Sequence, residues 1–279
     1  MSHRVGAMSS GRVGLVVNAE RPRARELADA ARHWWADQGY EVLDFDVRSL
    51  RPGDPHEKLD FAVSLGGDGT MLRTAQLALV PGIPVLGVNL GTFGYLTQVE
   101  PSRLEAAFGL LVAGNYEVEE RMTLEVMVHG TLFAALNEVT VEKTSAGRTI
   151  GIRLAITGRP FLTYAADGLL VATPTGSTAY NLSLRGPIVS PRLRALVVTP
   201  ISPHMLFDRS LVLEPDDWVQ LSLTDAPGAV VVADGTAVAE VGPDAEIVVR
   251  AGAHNARIVR FEAPDFHAVL RHKFNLADR

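Results

Sequence analysis

A single aspartate stands among glycines at residues 64–72 (SLGGDGTML). The apolar residues 59–63 before it predict a buried strand, and residues 70–79 after it predict a helix. Glycines in such a turn permit a positive φ and let a ligand approach the backbone, and the start of a helix favours a phosphate. Asp68 is itself an anion, so it fits a Mg²⁺ ligand or a base that accepts a hydroxyl proton. The alternative is that Asp68 only caps the helix.

The elements around this turn predict an α/β domain. Apolar segments at 12–18, 40–47, 59–65 and 83–89 predict strands, and segments at 22–39, 70–79 and 101–113 predict helices. Such alternation gives right-handed βαβ units and a mainly parallel sheet, which binds ligands at the carboxyl ends of its strands. Asp68 and Asn89 both follow or end predicted strands, and this favours a functional role for Asp68 over a cap.

From Glu117 onward the pattern becomes that of a β domain. Short β-branched segments separated by turn residues lie at 124–128, 134–141, 150–156, 169–172, 196–198, 219–223, 230–232, 247–249 and 256–261. We expect residues 117–261 to form a largely antiparallel, sandwich-like domain and residues 1–116 to form the α/β domain. A helix predicted at 264–274 should return residues 262–279 to the first domain. A ligand cleft between the two domains is expected.

The composition excludes several classes of protein. The chain has 279 residues, of which 47% are hydrophobic and 21% are charged, as in globular proteins. It has no cysteine, which excludes disulfides and thiolate metal sites, and its net charge of −6 argues against a general nucleic-acid binder. No apolar run approaches the roughly 18 residues that cross a bilayer. Residues 1–11 resemble a flexible tail rather than a signal peptide, with Met8 as an alternative start. A cytoplasmic enzyme or binding protein is expected.

Several common catalytic motifs are missing from the sequence. There is no G-x-x-x-x-G-K-[ST] loop, no G-x-G-x-x-G fingerprint and no G-x-S-x-G elbow. The eight histidines lack the spacing of metal ligands. This argues against P-loop proteins, Rossmann oxidoreductases and protein kinases.

Polar residues stand out at two places in the β half. Asn137 and Glu138 follow an apolar run, so the pair forms either a core network or a ligand clamp, in which the amide suits a nucleobase edge and the carboxylate a ribose diol. Residues 166–180 (ADGLLVATPTGSTAY) predict a strand, a hydroxyl-rich loop and a helical turn beginning at Ser177 or Thr178. Hydroxyls and helix N-terminal amides bind phosphate or ribose; the alternative is a capped turn.

Two side chains near this loop have alternative interpretations. Tyr180 could stack on a base or belong to the core. Arg185, in the segment 184–187 (LRGP), could add a cation to a phosphate site.

Taken together, these motifs resemble those of the NAD kinase family. The matching segments are 66–70 (GGDGT), 136–138 (LNE), 167–169 (DGL), 173–180 (TPTGSTAY), 186–188 (GPI), 199–201 (TPI), 203–204 (PH) and 233–235 (ADG). They occur in the family's order between about residues 12 and 276. The resemblance implies an α/β domain followed by a β-sandwich. It also implies transfer of the ATP γ-phosphoryl group to the 2′-hydroxyl of the adenosine ribose of NAD, giving NADP. Mg²⁺ or another divalent cation would take part, and in the family's homodimers or homotetramers a neighbouring subunit often completes the site.

The resemblance further implies roles for particular residues. Asp68 would be the proton acceptor. The residues implied in substrate or nucleotide binding are Gly66, Gly67, Gly69, Thr70, Arg73, Asn89, Asn137, Glu138, Arg148, Asp167, Thr175, Thr178, Ala179, Tyr180, Ser183 and Thr236. Arg73 and Arg148 would be the basic contacts, Asp167 would lie on the nicotinamide side, and residues 178–183 would line the adenine–ribose pocket.

Three places depart from the family's pattern. Ala165 stands where many members carry a basic side chain, Leu184-Arg185 stands where Ala-Gly is usual, and Thr236 stands where an amide is common. These changes leave NADH or another nucleoside open as acceptor, and polyphosphate stays open as donor. The sharing of the metal by Glu138 or Asp167 is also open. A non-catalytic dinucleotide-binding sensor is a further alternative, which the retention of Asp68 disfavours.

Overall fold

The computed structural model describes residues 11–50, 59–90, 94–145, 147–224, 228–243, 245–263 and 265–276. Residues 1–10 of the predicted tail, including Met8, lie outside the described residues. The chain divides into two compact units. The first unit contains Met1–Glu120 and Ala256–Arg279, and the second unit contains Arg121–Asn255.

The elements are numbered in chain order within the described residues. The strands are β1 (Arg12–Val17), β2 (Glu41–Asp46), β3 (Phe61–Gly66), β4 (Val85–Asn89), β5 (Glu117–Arg121), β6 (Leu124–Val128), β7 (Thr131–Ala135), β8 (Glu138–Lys143), β9 (Ile150–Ile156), β10 (Arg159–Ala166), β11 (Gly168–Ala172), β12 (Leu196–Ile201), β13 (Leu211–Leu213), β14 (Trp218–Leu223), β15 (Ala229–Ala233), β16 (Thr236–Val241), β17 (Ile247–Ala251) and β18 (Ala256–Arg260). The helices are α1 (Pro22–Asp37), α2 (Asp68–Leu79), α3 (Leu104–Val112), α4 (Tyr180–Ser183) and α5 (Phe266–Lys273), with 3₁₀ turns at Pro101–Arg103 and Gly176–Thr178. Among the described helices, not one has the length and apolar character needed to cross a membrane.

The first unit is built around a six-stranded sheet in the order β2-β1-β3-β4-β18-β5. Strand β1 is parallel to β2 and β3, and β4 is parallel to β3 and β18. The α/β class predicted for this part of the chain is therefore confirmed. Gly66 and Asn89 are register partners at the ends of β3 and β4, so the predicted meeting of these strand ends at one edge of the sheet is present.

Helix α1 shows how the sequence packs a helix into the core of the first unit. It begins at Pro22, whose missing N–H costs nothing in the first turn of a helix. Its buried face carries Ala24, Ala28, Ala31 and Trp35, at the three- and four-residue spacing of one helical stripe. These residues join the buried side chains of the sheet in one hydrophobic core.

The second unit consists of two antiparallel six-stranded sheets. Their orders are β10-β9-β14-β17-β6-β7 and β13-β12-β11-β8-β15-β16. Buried side chains of both sheets belong to a single hydrophobic core, including Leu154 and Val219 from the first sheet and Val141, Leu169 and Val198 from the second. The predicted antiparallel character of this half is confirmed.

The structure corrects two strand assignments. Residues 134–141 form the end of β7 and most of β8, not one strand, because the chain bends at Leu136 and Asn137. Strand β18, expected in the β domain, joins the parallel sheet of the first unit beside β4. The burial of Ile258 and Val259, whose side chains alternate across the strand, suits a strand covered on both faces.

Helix α5 belongs to the first unit. Asp265 caps it, because its side chain accepts the N–H of Ala268 at 2.9 Å. The last turn carries Arg271, His272 and Lys273, and the Lys273 ammonium lies 5.2 Å from the centre of the Tyr95 ring, within the range of a cation–π contact.

The core of the second unit contains one buried hydroxyl that leads to a stability prediction. Tyr164 is fully buried, its hydroxyl has no hydrogen-bond partner among the described residues, and burial raises the pKa of this phenol to about 12. We expect Tyr164→Phe to raise the free energy of unfolding by about 1 kcal/mol, because it removes an unpaired polar atom and leaves the ring in place. Urea unfolding measures the difference. A loss of stability would contradict the expectation by revealing a partner for the hydroxyl.

Candidate active site

The aspartate turn, residues 66–70, connects β3 to α2. Gly67 is the N-cap of α2 and has extended backbone angles, φ −100° and ψ −168°. Asp68 is the first helical residue, and no side chain caps this helix. The interpretation of Asp68 as a helix cap is therefore wrong, and its carboxylate is available for other contacts.

The glycines of the aspartate turn matter because they lack a side chain, and not because they adopt a positive φ. None of Gly66, Gly67 and Gly69 has a φ in the left-handed region, although glycines would permit one. A Cβ on Gly66 would collide with the Thr70 side chain, so this glycine is required by packing. A Cβ on Gly67 or Gly69 would meet nothing within 4 Å. These two positions leave the backbone open to a ligand.

The Asp68 carboxylate is oriented by a segment that we call the backbone clamp, residues 94–97. The N–H of Tyr95 donates to Asp68 Oδ2 at 3.0 Å, and the N–H of Leu96 donates to Asp68 Oδ1 at 3.2 Å. A Cβ on Gly94 would collide with the same carboxylate, so glycine is needed for this approach. Both carboxylate oxygens are thus held by amide donors, in a half-buried position.

Other predicted residues of the first unit surround this edge of the sheet. Asn89 ends β4, and its N–H donates to the Val99 carbonyl at 2.8 Å. Arg73 lies one turn into α2, and its guanidinium donates to Gln76 Oε1 at 3.4 Å. Thr70 is buried. The first unit therefore brings the aspartate turn, Arg73 and Asn89 to the carboxyl ends of β3 and β4.

The Asn137–Glu138 bend of the second unit is fixed by Asp234. The Asp234 carboxylate accepts the N–H groups of Leu136, Asn137 and Glu138 at 2.8, 2.8 and 3.2 Å. Asp234 and Gly235 have φ values of 45° and 75°, the positive pair typical of a two-residue hairpin turn, here between β15 and β16. This long-range contact explains why the chain bends at a point where the sequence predicted a continuous strand.

Glu138 begins β8 with a carboxyl group that is largely removed from water. Its Oε2 is buried and has no partner among the described residues. Burial and, to a smaller extent, Asp234 raise the pKa of Glu138 to about 8, and a hydrogen bond from the Tyr180 N–H opposes this rise. The group can therefore exchange its proton near neutral pH and has an oxygen free for a ligand.

The hydroxyl-rich loop at 173–178 uses most of its polar groups to hold its own shape. Thr173 Oγ1 donates to the Leu136 carbonyl at 2.7 Å, and Ser177 Oγ donates to the Pro174 carbonyl at 2.7 Å. Thr178 Oγ1 donates to the Thr175 carbonyl at 3.3 Å. The hydroxyls of Thr173, Ser177 and Thr178 thus donate to backbone carbonyls of the protein.

The expected helix start in this loop also differs from the structure. Residues Gly176–Thr178 form a 3₁₀ turn, and α4 begins only at Tyr180 and is a single turn long. Thr175 is buried and accepts a hydrogen bond from Arg121 at 3.3 Å. The Ser177 N–H donates to the Pro174 carbonyl at 3.3 Å, so this amide is used within the loop.

Gly176 of the hydroxyl-rich loop lies directly against the backbone of Asn137. A Cβ at this position would collide with the backbone carbonyl of Asn137, which also accepts the N–H of Thr173 at 2.8 Å. We expect Gly176→Ala to destabilise the protein by about 1–3 kcal/mol through overpacking against backbone. Gly147→Ala, at a residue whose Cβ would meet nothing, is an open-space comparison that carries only the cost of its positive φ. Urea unfolding of both variants tests this, and equal losses would contradict it.

Carboxylates surround Tyr180 on the same side of the second unit. Asp167 Oδ1 accepts a hydrogen bond from Lys143 Nζ at 2.5 Å. The pKa of the Tyr180 phenol is raised first by burial and then by Glu142, Asp167 and Glu138.

The remaining predicted residues lie near these elements or apart from them. Arg148 is exposed, between β8 and β9. Thr236 begins β16 directly after the Asp234–Gly235 turn, and Ser183 ends α4 after Ala179. Arg185 has a φ of 62°, a conformation that glycine adopts more readily and that accounts for the glycine usual in the family. Ala165 is exposed on β10.

Sequence reasoning missed two sets of residues, one in each unit. Asp234 was noticed only within a family motif, although Asp-Gly between two β-branched segments is a strong hairpin signal. The backbone clamp had no signal in the sequence, because its contacts with Asp68 are made by main-chain amides. Among the described residues there is no group of three or more His, Asp or Glu side chains arranged to hold a metal ion.

Comparison with protein families gives the class of this fold and site. Residues 50–116 match the family model described as the ATP-NAD kinase N-terminal domain. Residues 136–261 match the ATP-NAD kinase C-terminal domain. An α/β half with an aspartate turn and a β half with the Asn-Glu and hydroxyl-rich motifs thus define a kinase, a phosphotransferase enzyme.

Individual proteins give the family. The chain is 41% identical to the NAD kinase of Heliobacterium modesticaldum, covering 94% of this chain and 97% of that protein. It is 39% identical to NAD kinase 2 of Streptomyces coelicolor, covering 95% and 94%. The chain belongs to the NAD kinase family.

The chain also resembles solved structures, among them the following two. An Archaeoglobus fulgidus NAD kinase in complex with ATP is 28% identical, with a TM-score of 0.76, covering 95% of this chain and 97% of that one. A yeast NADH kinase complexed with NADH is 22% identical, with a TM-score of 0.85, covering 97% and 89%. The second likeness concerns the fold alone.

Proposed function

We propose that this protein transfers the γ-phosphoryl group of ATP to the 2′-hydroxyl of the adenosine ribose of NAD, giving NADP, with Asp68 as proton acceptor. The observation that carries the proposal is the Asp68 carboxylate, which two amides orient at the carboxyl end of β3 beside the open backbone of Gly67 and Gly69. Membership of the NAD kinase family supports the reaction.

The contacts of Asp68 support its role as the base. Each of its oxygens accepts one amide N–H, from Tyr95 or Leu96, and keeps further acceptor capacity for a substrate hydroxyl. A ribose hydroxyl is a weak nucleophile, and a positioned carboxylate that removes its proton accelerates such a reaction by about 10²–10⁴-fold. Alignment of the acceptor hydroxyl with the phosphoryl group supplies much of the rest. Arg73 and Arg148 are the proposed phosphate contacts.

The second unit supplies the proposed dinucleotide contacts. Asn137 and Glu138 would bind a base and a ribose, and residues 178–183 would line the adenine–ribose pocket. Asp167, beside Lys143, would lie on the nicotinamide side.

Mg²⁺ fits the described residues only as an ion carried by ATP. These residues offer no three-ligand cluster, and Mg²⁺ commonly binds through one or two carboxylates, water and substrate phosphates. Asp68 is the carboxylate that would face it. When bound, the ion would neutralise charge on the transferred phosphoryl group.

Oligomeric state and location complete the proposal. Apolar side chains are exposed at neighbouring parts of the second unit: Leu206 is fully exposed, and the Phe161 ring, half of it exposed, contacts Phe207 at a centroid distance of 5.9 Å. Such a surface supports a homodimer or homotetramer. A cytoplasmic location is proposed because ATP and NAD are available there.

A coupled assay tests the reaction. The protein is incubated with NAD, ATP and Mg²⁺, and NADP is detected with an NADP-specific dehydrogenase. Parallel reactions replace NAD by NADH or a nucleoside and replace ATP by polyphosphate. NADP formation that depends on ATP is the expected result. If product formed from NADH alone, the acceptor would be NADH and not NAD. Binding without product from any acceptor would indicate a sensor.

A further inference from the structure

We infer that Arg260 is a positioning residue that holds Asp68 in place through the backbone clamp. The inference rests on the proposed role of Asp68 as the base. Arg260 Nη1 donates to the Leu96 carbonyl at 3.1 Å, and the N–H of the same Leu96 donates to Asp68 Oδ1 at 3.2 Å. One residue of the clamp therefore connects a buried guanidinium on β18 to the carboxylate at the start of α2.

The guanidinium is itself fixed by a buried ion pair. Arg260 Nε donates to Glu119 Oε2 at 2.8 Å, and the two side chains are only 6% and 12% exposed. They belong to β18 and β5, which are neighbouring strands of the six-stranded sheet of the first unit. A buried ion pair of this kind commonly adds little to stability compared with apolar residues of similar size. The ion pair instead has a geometric effect, because it holds the Arg260 donor at the Leu96 carbonyl.

The backbone clamp has little room to shift without moving Asp68. Gly94 lies so close to the Asp68 carboxylate that a Cβ would collide with it, and the backbone of Thr97 lies 3.0 Å from where a Cβ on Gly87 would be. The clamp is therefore confined between the carboxylate and strand β4. Loss of the hydrogen bond from Arg260 would free the Leu96 carbonyl, in the residue whose N–H holds Asp68 Oδ1.

The test uses the full chain and a double variant, Glu119→Gln/Arg260→Met. Replacing both partners avoids leaving one buried charge unpaired, which would destabilise the fold. We expect kcat to fall roughly 10- to 100-fold, the size of effect that follows a small misplacement of a catalytic group. The KM values for NAD and ATP should stay within about threefold, because ground-state binding is unchanged. Urea midpoints establish that the variant is folded.

Arg257→Met is the matched control. Arg257 lies on the same strand and its guanidinium also donates to a backbone carbonyl, that of Gly82 at 2.6 Å. This bond is made at the turn after α2 and does not involve the clamp. The control should keep the parental kcat, and an equal loss in both variants would overturn the inference by indicating a general effect on the sheet.

Two further measurements separate positioning from a merely structural role. In the Asp68→Asn background the double substitution should reduce kcat by less than about twofold further, because the group that it positions has already been removed. Arg260→Lys keeps the charge beside Glu119 but has a shorter reach, so its kcat should lie between those of the parent and the double variant. It also provides a test if the double variant does not fold. Loss of turnover in Asp68→Asn with full turnover in both Arg260 variants would refute the inference alone. Full turnover in Asp68→Asn would refute the proposed base and the inference together.

Discussion

Asp68→Asn is expected to lower kcat for NADP formation by about 10²–10⁴-fold, while the dissociation constants of NAD and ATP stay within about threefold. Asparagine has the same size, and its oxygen keeps the hydrogen bond from one of the two amides, of Tyr95 or Leu96, while its NH2 group cannot accept the other. It cannot accept the hydroxyl proton. Steady-state kinetics measure turnover, and titration calorimetry measures binding.

Asp60→Asn is the control for this prediction. Asp60 Oδ2 also accepts a backbone N–H, that of Arg12 at 2.7 Å, but it precedes β3 and so lies at the opposite end of that strand from Asp68. Its replacement should leave kcat unchanged. If Asp68→Asn kept near-normal turnover, Asp68 would not be the base, and the protein would need another proton acceptor.

Glu138→Gln is expected to change the dependence of stability on pH. The pKa of this carboxyl is raised from 4.5 to about 8 in the folded protein. A raised pKa means that the folded state binds a proton that the unfolded state releases. The stabilising contribution is therefore complete below pH 4.5 and is lost as the pH rises to about 8. The loss is on the order of 1 kcal/mol per pH unit across this window. Glutamine carries no titrating proton, so the variant should lose less stability over the same range.

The measurement is the free energy of unfolding in urea from pH 5 to 9, for the parent chain, Glu138→Gln and Glu142→Gln. Glu142 lies on the same strand and accepts a hydrogen bond from Thr140 at 2.6 Å, so its variant removes a carboxylate from β8 without altering the bend. A slope that changes only in Glu138→Gln supports the assignment. Equal slopes in the parent and Glu138→Gln would mean that Glu138 is ionised in the folded protein at neutral pH.

The parts of the fold that the sequence predicted are those with strong local patterns. Strands such as β1 and β3 are buried nearly throughout and read as continuous apolar runs. Strands β10 and β13 were missed because they lie at sheet edges. Strand β10 contains Pro160 and is mostly exposed, and β13 has only three residues. Exposed edge strands need little apolar character, so their sequence pattern is weak.

The site was predictable where side chains act and was not where the backbone acts. Asp68 stood out because glycines flank it on a strand-to-helix turn. The donors that orient it are main-chain groups 27 and 28 residues away, and any residue type supplies those donors. Similarly, the bend at Asn137 depends on Asp234, 97 residues further along the chain. Local sequence patterns do not encode contacts at such separations.

The position of β18 has a consequence for the synthesis of this protein. In the sheet of the first unit, Ile258 pairs with Val85, 173 positions earlier in the chain, and the whole of Arg121–Asn255 lies between the two strands. During synthesis, all strands of the second unit are therefore made before β18 can join the sheet of the first unit. Arg260 follows Arg121–Asn255 in the chain, so its hydrogen bond to the Leu96 carbonyl forms only after the second unit has been synthesised.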